Sequence, residues 1–292
     1  MLVVAGYIVV IASVLGGYAM VGGHLGVLYQ PAELVIIFGA GIGAFLASTN
    51  GKGLNATIRV LPKLLRGQRY NKKVCLDLMT LLYLLMAKAR QQGMMALEAD
   101  IEDPENSPLF SSYPVLLADP LLMNFINDYL RLMISGNMDA FEIEALMDHE
   151  IETFQQEAEV PAHGLSSMGD GLPAFGIVAA VMGVVHALGA ASLDPAGIGP
   201  LIAHAMIGTF LGILLAYGFV SPMAARIRTQ IDDMVKILQS IKVTLLAHLN
   251  GYAPPLAIEF GRKALFSAER PGFNELENHV KEVRSGGSRE AS

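Results

Sequence analysis

The run Gly171–Ala191, GLPAFGIVAAVMGVVHALGAA, contains no Asp, Glu, Lys or Arg and is long enough to cross a bilayer. A spanning helix needs about 20 predominantly apolar residues. In lipid only helices and closed barrels satisfy their own backbone groups. Three more runs approach or reach that length: Leu2–Val21, Leu34–Ser48 and Leu201–Ser221. The second is short and borrows flanking residues, with Glu33 at its outer end. This pattern predicts an all-α integral membrane protein with four transmembrane helices. Gly176, Ala180, Gly183 and Ala187 recur at helical spacing on the third run. Small faces let helices approach closely where lipid offers no hydrophobic drive. Pro173 falls in the first turn of this run, where a missing N–H costs little. The working pathway is placed between this span and Leu201–Ser221.

Charge sets the expected orientation. Only 16% of the 292 residues are charged, against roughly 25% in soluble domains. All 20 Lys and Arg fall in two long segments, ten in Asn50–Asp170 and ten in Pro222–Ser292. The short connectors Gly22–Gln30 and Ser192–Pro200 have none. Basic residues beside spans stay in the cytoplasm. The expected division is 1–49 for the first two spans, 50–170 for a cytoplasmic domain, 171–222 for the third and fourth spans, and 223–292 for a cytoplasmic helix and polar tail. Both termini are then cytoplasmic. Leu2–Val21 lacks a basic n-region and reads as a retained span. The net charge of -7 argues against nucleic acid as a partner. A single cysteine, Cys75, forms no internal disulfide.

Within the cytoplasmic segments, Lys52, Arg59, Lys63, Arg66, Arg69, Lys72 and Lys73 form a basic strip suited to lipid headgroups. Val74–Ala87 reads as a core helix, too short and too interrupted by Asp77 for a fifth span. Leu121–Ser135 reads as a helix stopped at Gly136, and Asp139–Glu159 as an acidic helical stretch leading to Pro161. After the fourth span, Ala224–Leu249 continues as an amphipathic helix to Asn250-Gly251. The chain from about Ser267 is polar and expected to be disordered.

The spans hold no carboxylate or amine near mid-membrane, since Glu33 and Asp194 lie at the outer edge. An ion crossing lipid needs an ionisable or oxygen-rich site. If this chain conducts, another polypeptide supplies the central carboxylate. Thr209 sits mid-span on a small face with Ala205, Gly212 and Ala216, and back-bonding to the Ala205 carbonyl is its ordinary role. His186 and His204 lie toward the outer ends; packed neutral histidines are the plain reading and a proton relay the sharper one. Gly39 and Gly43 read as helix packing, not as a dinucleotide motif. Arg90, Glu98 and Glu150 read, on residues alone, as solvated surface charges. No nucleophile–base pair and no Cys/His metal cluster stand out.

The stretches LPAFGIVAAVMGVVHALG (Leu172–Gly189), ARQQGMMALE (Ala89–Glu98), DPENSPLF (Asp103–Phe110) and YGFVSP ending at Pro222 closely resemble the MotA family of flagellar motor stator subunits. The resemblance covers nearly the whole chain. It implies long cytoplasmic extensions of the third and fourth spans. It implies an inner-membrane pentamer around a dimer of MotB, a single-span partner that carries the ion-binding aspartate and anchors to peptidoglycan. Ion flow then drives torque on the rotor protein FliG. By position, Arg90, Glu98 and, less closely, Glu150 match charges proposed to meet FliG. Pro173 and Pro222 match prolines thought to couple ion flow to cytoplasmic movement. Ala180 and Thr209 match positions lining the pathway. Sodium-driven relatives usually carry Thr at the Ala180 position, an extra oxygen ligand, so Ala180 points to H⁺ as coupling ion, with no cofactor or metal. The resemblance implies no enzyme. The alternatives are an ExbB- or TolQ-like energising subunit, which lacks the ARQQGMMALE match, and a non-conducting membrane scaffold.

Overall fold

The computed structural model describes residues 2–65, 69–190 and 198–290. Among them the chain is helical, and no strand occurs. Its helices are α1 Leu2–Met20, α2 Pro31–Ser48, α3 Gly51–Val60, α4 Lys72–Gln92, α5 Glu98–Glu102, α6 Pro108–Ser111, α7 Pro114–Leu117, α8 Pro120–Ser135, α9 Ala140–Ala190, α10 Ile198–Leu215, α11 Ser221–Leu249, α12 Pro254–Ala264 and α13 Phe273–Glu290. Arg66 of the basic strip and Asp194 lie outside the described residues. Four helical stretches are long and apolar enough to cross a membrane, as expected. The chain divides into two compact units, Met1–Gly67 with Glu157–Gln230, and Gln68–Gln156 with Ile231–Ser292.

In the first unit the apolar helices leave many large side chains exposed, Leu2, Ile8, Val185 and Met206 among them. That is the pattern of helices whose outer solvent is lipid. Close approach between α2 and α9 runs through Gly41, where a Cβ would meet Leu172 at 2.9 Å, and through Gly164, where it would meet Phe45 at 2.6 Å. The expected packing pair fails here. A Cβ on Gly39 or Gly43 would meet nothing within 4 Å. These two glycines share a face turned away from α9, because residues two apart on a helix point roughly 200° apart.

Helix α9 is continuous from Ala140 through the third span, in keeping with the long extension the resemblance implies, and Pro173 lies inside it with Pro161, not in a first turn as expected. An interior proline costs about 3 kcal/mol through a lost hydrogen bond and a ring clash. Burial on either side offsets this: Ala162 and Leu165 follow Pro161, and Leu172 precedes Pro173, all at 6% exposure or less. The start of α9 is set by a reciprocal cap. Asp139 accepts from the Glu142 N–H at 2.8 Å, and the Glu142 carboxylate accepts from the Asp139 N–H at 2.9 Å.

The second unit is built around α4, capped by Asn71, which accepts from the Val74 N–H at 3.0 Å. Leu78, Leu81, Leu82, Leu85 and Met86 have no exposure. Phe125, Ile126 and Leu130 of α8, Ile241 and Leu245 of α11, and Ala257 of α12 are likewise buried in this unit, and α12 packs on α4. Lys242 of α11, almost buried, reaches Glu144 at 3.2 Å and Asp148 at 2.6 Å, one turn apart on α9. Gly136 and Gly251 end α8 and α11 with φ of +64° and +84°, the left-handed geometry that favours glycine.

Contrary to expectation, the polar C-terminal stretch is helical over Phe273–Glu290, where α13 buries Leu276 and Val280, four residues apart, and packs on α4. Lys72 pairs with Glu275 at 2.7 Å, and the Arg284 guanidinium donates to the Tyr83 hydroxyl at 3.1 Å. Two apolar residues on one face are too few to stand out in a polar sequence, yet they suffice beside an existing helix.

Cys75 is fully buried in α4. Burial, aided by Glu269 and Asp233, pushes its thiol up to about 12. At pH 8 the thiolate fraction is on the order of 10⁻⁴. A maleimide should label the detergent-solubilised protein negligibly over the time in which it labels the denatured chain fully. Comparable rates would show that α4 is not held in this core.

Candidate ion pathway and rotor-facing surface

In the first unit, α9 and α10 meet along glycine. A Cβ on Gly176 would lie 2.6 Å from the Gly208 carbonyl oxygen and 3.3 Å from the Thr209 Cα. One on Gly212 would lie 2.6 Å from the Leu172 carbonyl oxygen, and one on Gly183 would lie 2.6 Å from the Ala205 Cβ. The two backbones are therefore in van der Waals contact. On α9 the contacting line is Leu172, Gly176, Ala179, Gly183, with Ala179 fully buried. Ala180 is half-buried and stands beside this seam, not in it. Thr209 is likewise half-buried on α10. The two residues that the resemblance assigns to the pathway are thus both half-buried, on the two helices that form this contact.

Thr209 departs from its ordinary role. Thr57, Thr80, Thr229 and Thr244 each donate to the carbonyl four residues back, at 2.8, 2.8, 3.2 and 2.8 Å. Thr209 makes no such bond among the described residues, which leaves its hydroxyl without that helical acceptor. His186 and His204 are exposed on the surface of this chain.

Glu33 stands in the first turn of α2, at the end of that span where the sequence puts it. Its Oε2 is shielded from solvent and has no hydrogen-bond partner among the described residues. A Cβ on Gly208 would come 2.5 Å from that oxygen. The carboxylate therefore lies over the backbone next to Thr209. A lone acid in an apolar run was the available signal; only α2–α10 packing tells where it points.

Pro173 and Pro222 are brought into one neighbourhood. Pro173 has no N–H for the carbonyl of Gly169, four residues back. A Cβ on Gly169 would lie 3.1 Å from the Ser221 Oγ, the residue before Pro222. Just ahead, Ala216–Val220 form a π-helical turn. Such widened turns sit at functional positions in many helices. The Tyr7 hydroxyl donates to the Phe219 carbonyl at 3.0 Å, and the two rings lie 5.1 Å apart, so α1 braces the widened turn.

In the second unit, Arg90 ends α4 and Glu98 opens α5, on either side of Gly93 with φ +89°. Both side chains are exposed, and neither forms an ion pair among the described residues. Glu150 is different. It is exposed, yet its Oε2 accepts from the Tyr129 hydroxyl at 2.7 Å. Burial and that bond push the Tyr129 hydroxyl well above its usual range. Glu150 is thereby tied to the core of this unit. Among the described residues no group of His, Cys, Asp and Glu is arranged to hold a metal.

Four helices long and apolar enough to span, two of them in backbone contact along glycine, define a polytopic helical membrane protein. The chain matches the family model described as Motility protein A N-terminal over residues 4–93 and that of the MotA/TolQ/ExbB proton channel family over residues 118–240. Motility protein A of Salmonella typhimurium is 62% identical over 98% of this chain and 97% of its own length. Motility protein A of Escherichia coli is 61% identical over the same shares. Chemotaxis protein LafT of Vibrio parahaemolyticus is 34% identical over 95% and 97%. The chain belongs to the Motility protein A family, and it is a multi-pass inner-membrane protein. The same fold occurs in C. jejuni MotAB, with a TM-score of 0.77 at 20% identity, covering 91% of this chain and 95% of that one. It recurs in the Bacillus subtilis MotAB stator complex, with a TM-score of 0.72 at 24% identity, covering 88% and 92%.

Enlarging Gly176 should open the seam. Gly176→Val inserts a branched side chain where 2.6 Å is available. Overpacking of this kind costs about 1–3 kcal/mol. We expect a chain that still inserts but supports swimming poorly, with Gly176→Ala intermediate. Swimming assays paired with membrane quantification check this; normal swimming by Gly176→Val would show that the seam tolerates separation.

Proposed function

We propose that this chain is the ring subunit of a proton-driven flagellar stator. With a MotB-like single-span partner that carries the ion-binding aspartate, it passes protons and converts the proton-motive force into torque on FliG. The observation that carries this reading is 62% identity to a Motility protein A across 98% of the chain. The subunits stand as a homo-oligomer, a pentamer around a MotB dimer. Both termini lie in the cytoplasm, on the side where Lys and Arg accumulate. The work is ion conduction coupled to force, without bond-making chemistry. An ExbB- or TolQ-like role is less well supported, because residues 4–93 match the motility protein model.

The residues suggest the following division of labour. Ala180 and Thr209 flank the partner's aspartate at the rim of the α9–α10 seam. With Ala in place of a hydroxyl there, the site has one fewer oxygen for a bare cation and suits H⁺. Protonation of that aspartate alters the packing it meets, and a seam in backbone contact responds as a unit, since packed contacts switch between discrete arrangements. Pro173 and Pro222, adjacent through Gly169 and Ser221, are where these helices lack backbone hydrogen bonds and bend most readily. Arg90 and Glu98 present opposite charges to FliG. Exposed charges contribute little to folding, at most about 1 kcal/mol per pair, but they set register and approach to a charged partner.

Swimming should follow the proton-motive force and ignore external sodium. The lone chain should leak few protons. Co-expression with a MotB-like partner lacking its inhibitory segment should acidify the cytoplasm. Speed that rises with sodium at fixed proton-motive force would overturn the proton assignment, and strong leakage from the lone chain would point to His186 or His204 as its own relay.

For the rotor contact, Arg90→Glu and Glu98→Lys should each impair swimming while membrane level and stator assembly stay near normal. Reversing a complementary FliG charge should restore motion in part. Single reversals that swim normally would return both residues to ordinary surface charges.

A further inference from the structure

Arg90 and Glu98 are long, exposed side chains that cannot fix their own separation. What holds them lies beneath. Lys88, two residues before Arg90, extends its Nζ to within 2.6 Å of the Asp100 Oδ2, and Asp100 lies two residues after Glu98. The Ser107 hydroxyl donates to the other oxygen, Asp100 Oδ1, at 2.7 Å. Asp100 is 5% exposed, so both its oxygens are engaged out of solvent. Within the corner, Leu97 is fully buried. Beyond it, Arg131 of α8 pairs with Glu102 at 3.0 Å and holds the far end of α5.

The register gives this arrangement its consequence. Side chains two apart on a helix point roughly 200° away from each other. With Lys88 turned inward to Asp100, Arg90 must turn outward; with Asp100 turned inward to Lys88, Glu98 must turn outward. The ion pair thus closes the Lys88–Asp100 loop and sets both the spacing and the direction of the two exposed charges. With Asp100 buried and Lys88 half-buried, such a pair adds little net stability compared with well-packed apolar side chains. Its distinctive effect is a unique geometry.

We propose that Lys88 and Asp100, with Ser107, are positioning residues for the rotor contact, holding Arg90 and Glu98 at the spacing a charged partner reads. This rests on the reading that Arg90 and Glu98 meet FliG.

The test uses cells carrying the full stator with its partner. Membrane level, number of recruited units and torque per unit, from the speed step of a loaded motor as each unit joins, are measured separately. The variant Lys88→Met with Asp100→Leu replaces the pair by apolar side chains. It should keep level and partner binding near normal and lower torque per unit roughly threefold, since loosened charge registration weakens a complementary contact. Lys88→Arg, which keeps the ion pair, should restore it. A membrane level that falls while torque per unit stays normal would make the pair merely structural and overturn the proposal. If the double variant fails to accumulate, Ser107→Ala decides: a smaller fall in torque per unit supports the proposal, and an unchanged value overturns it. Reversals of Arg90 and Glu98 that leave torque per unit unchanged would overturn the rotor-contact reading and this proposal together. Reversals that lower it, beside a double variant that does not, would overturn the positioning role alone.

Discussion

Backbone contact between α9 and α10 is the constraint on which the membrane unit depends. In lipid, association draws on packing and hydrogen bonds, because tails are as apolar as the side chains. Gly176 against Gly208, Gly212 against the Leu172 carbonyl, and Gly183 against Ala205 each remove a side chain where the other helix must pass. With the backbones this close, the groups beside the seam have few alternative positions. Thr209, Ala180 and the buried Glu33 oxygen inherit their places from it.

The same closeness explains how this unit tolerates unusual backbone. Pro173 leaves the Gly169 carbonyl without its helical donor, and a π-helical turn precedes Pro222. Such features cost free energy in an isolated helix. Here Leu172 is buried beside the first, while the Tyr7 hydroxyl and ring brace the second. Strained or widened helix segments persist where surrounding packing over-determines them, and this is also where motion is easiest to bias.

The other unit solves a different problem, the display of charge on a rigid surface. Its core around α4 excludes water, and its buried charges are paired: Lys88 with Asp100, Lys242 with Asp148, and Arg262 with Glu259. In each pair one member is buried and the other reaches toward solvent. These pairs are less a source of stability than a set of fixed points. Glu150 belongs with them through Tyr129, whereas Arg90 and Glu98 remain outward.

Much of this was legible in the sequence. Uncharged runs set the number of spans, because an unsatisfied backbone or unpaired charge is excluded from lipid. The stops at Gly136 and Gly251 were readable because glycine enters left-handed φ without a Cβ penalty. Motifs on both sides of the cytoplasmic segment carried the family. Tertiary structure decided what depends on facing partners. Helix continuity through Pro161 and Pro173 rests on burial that no local propensity reports. That Ala179 fills the seam while Ala180 rims it is a matter of about 100° of rotation, which only the neighbouring helix specifies. The shielding of the Glu33 Oε2 against Gly208, the ordering of α13 through Leu276 and Val280, and the tie from Glu150 to Tyr129 arise for the same reason. Each joins residues far apart in the chain, and a linear pattern records what a side chain is but not what stands opposite it.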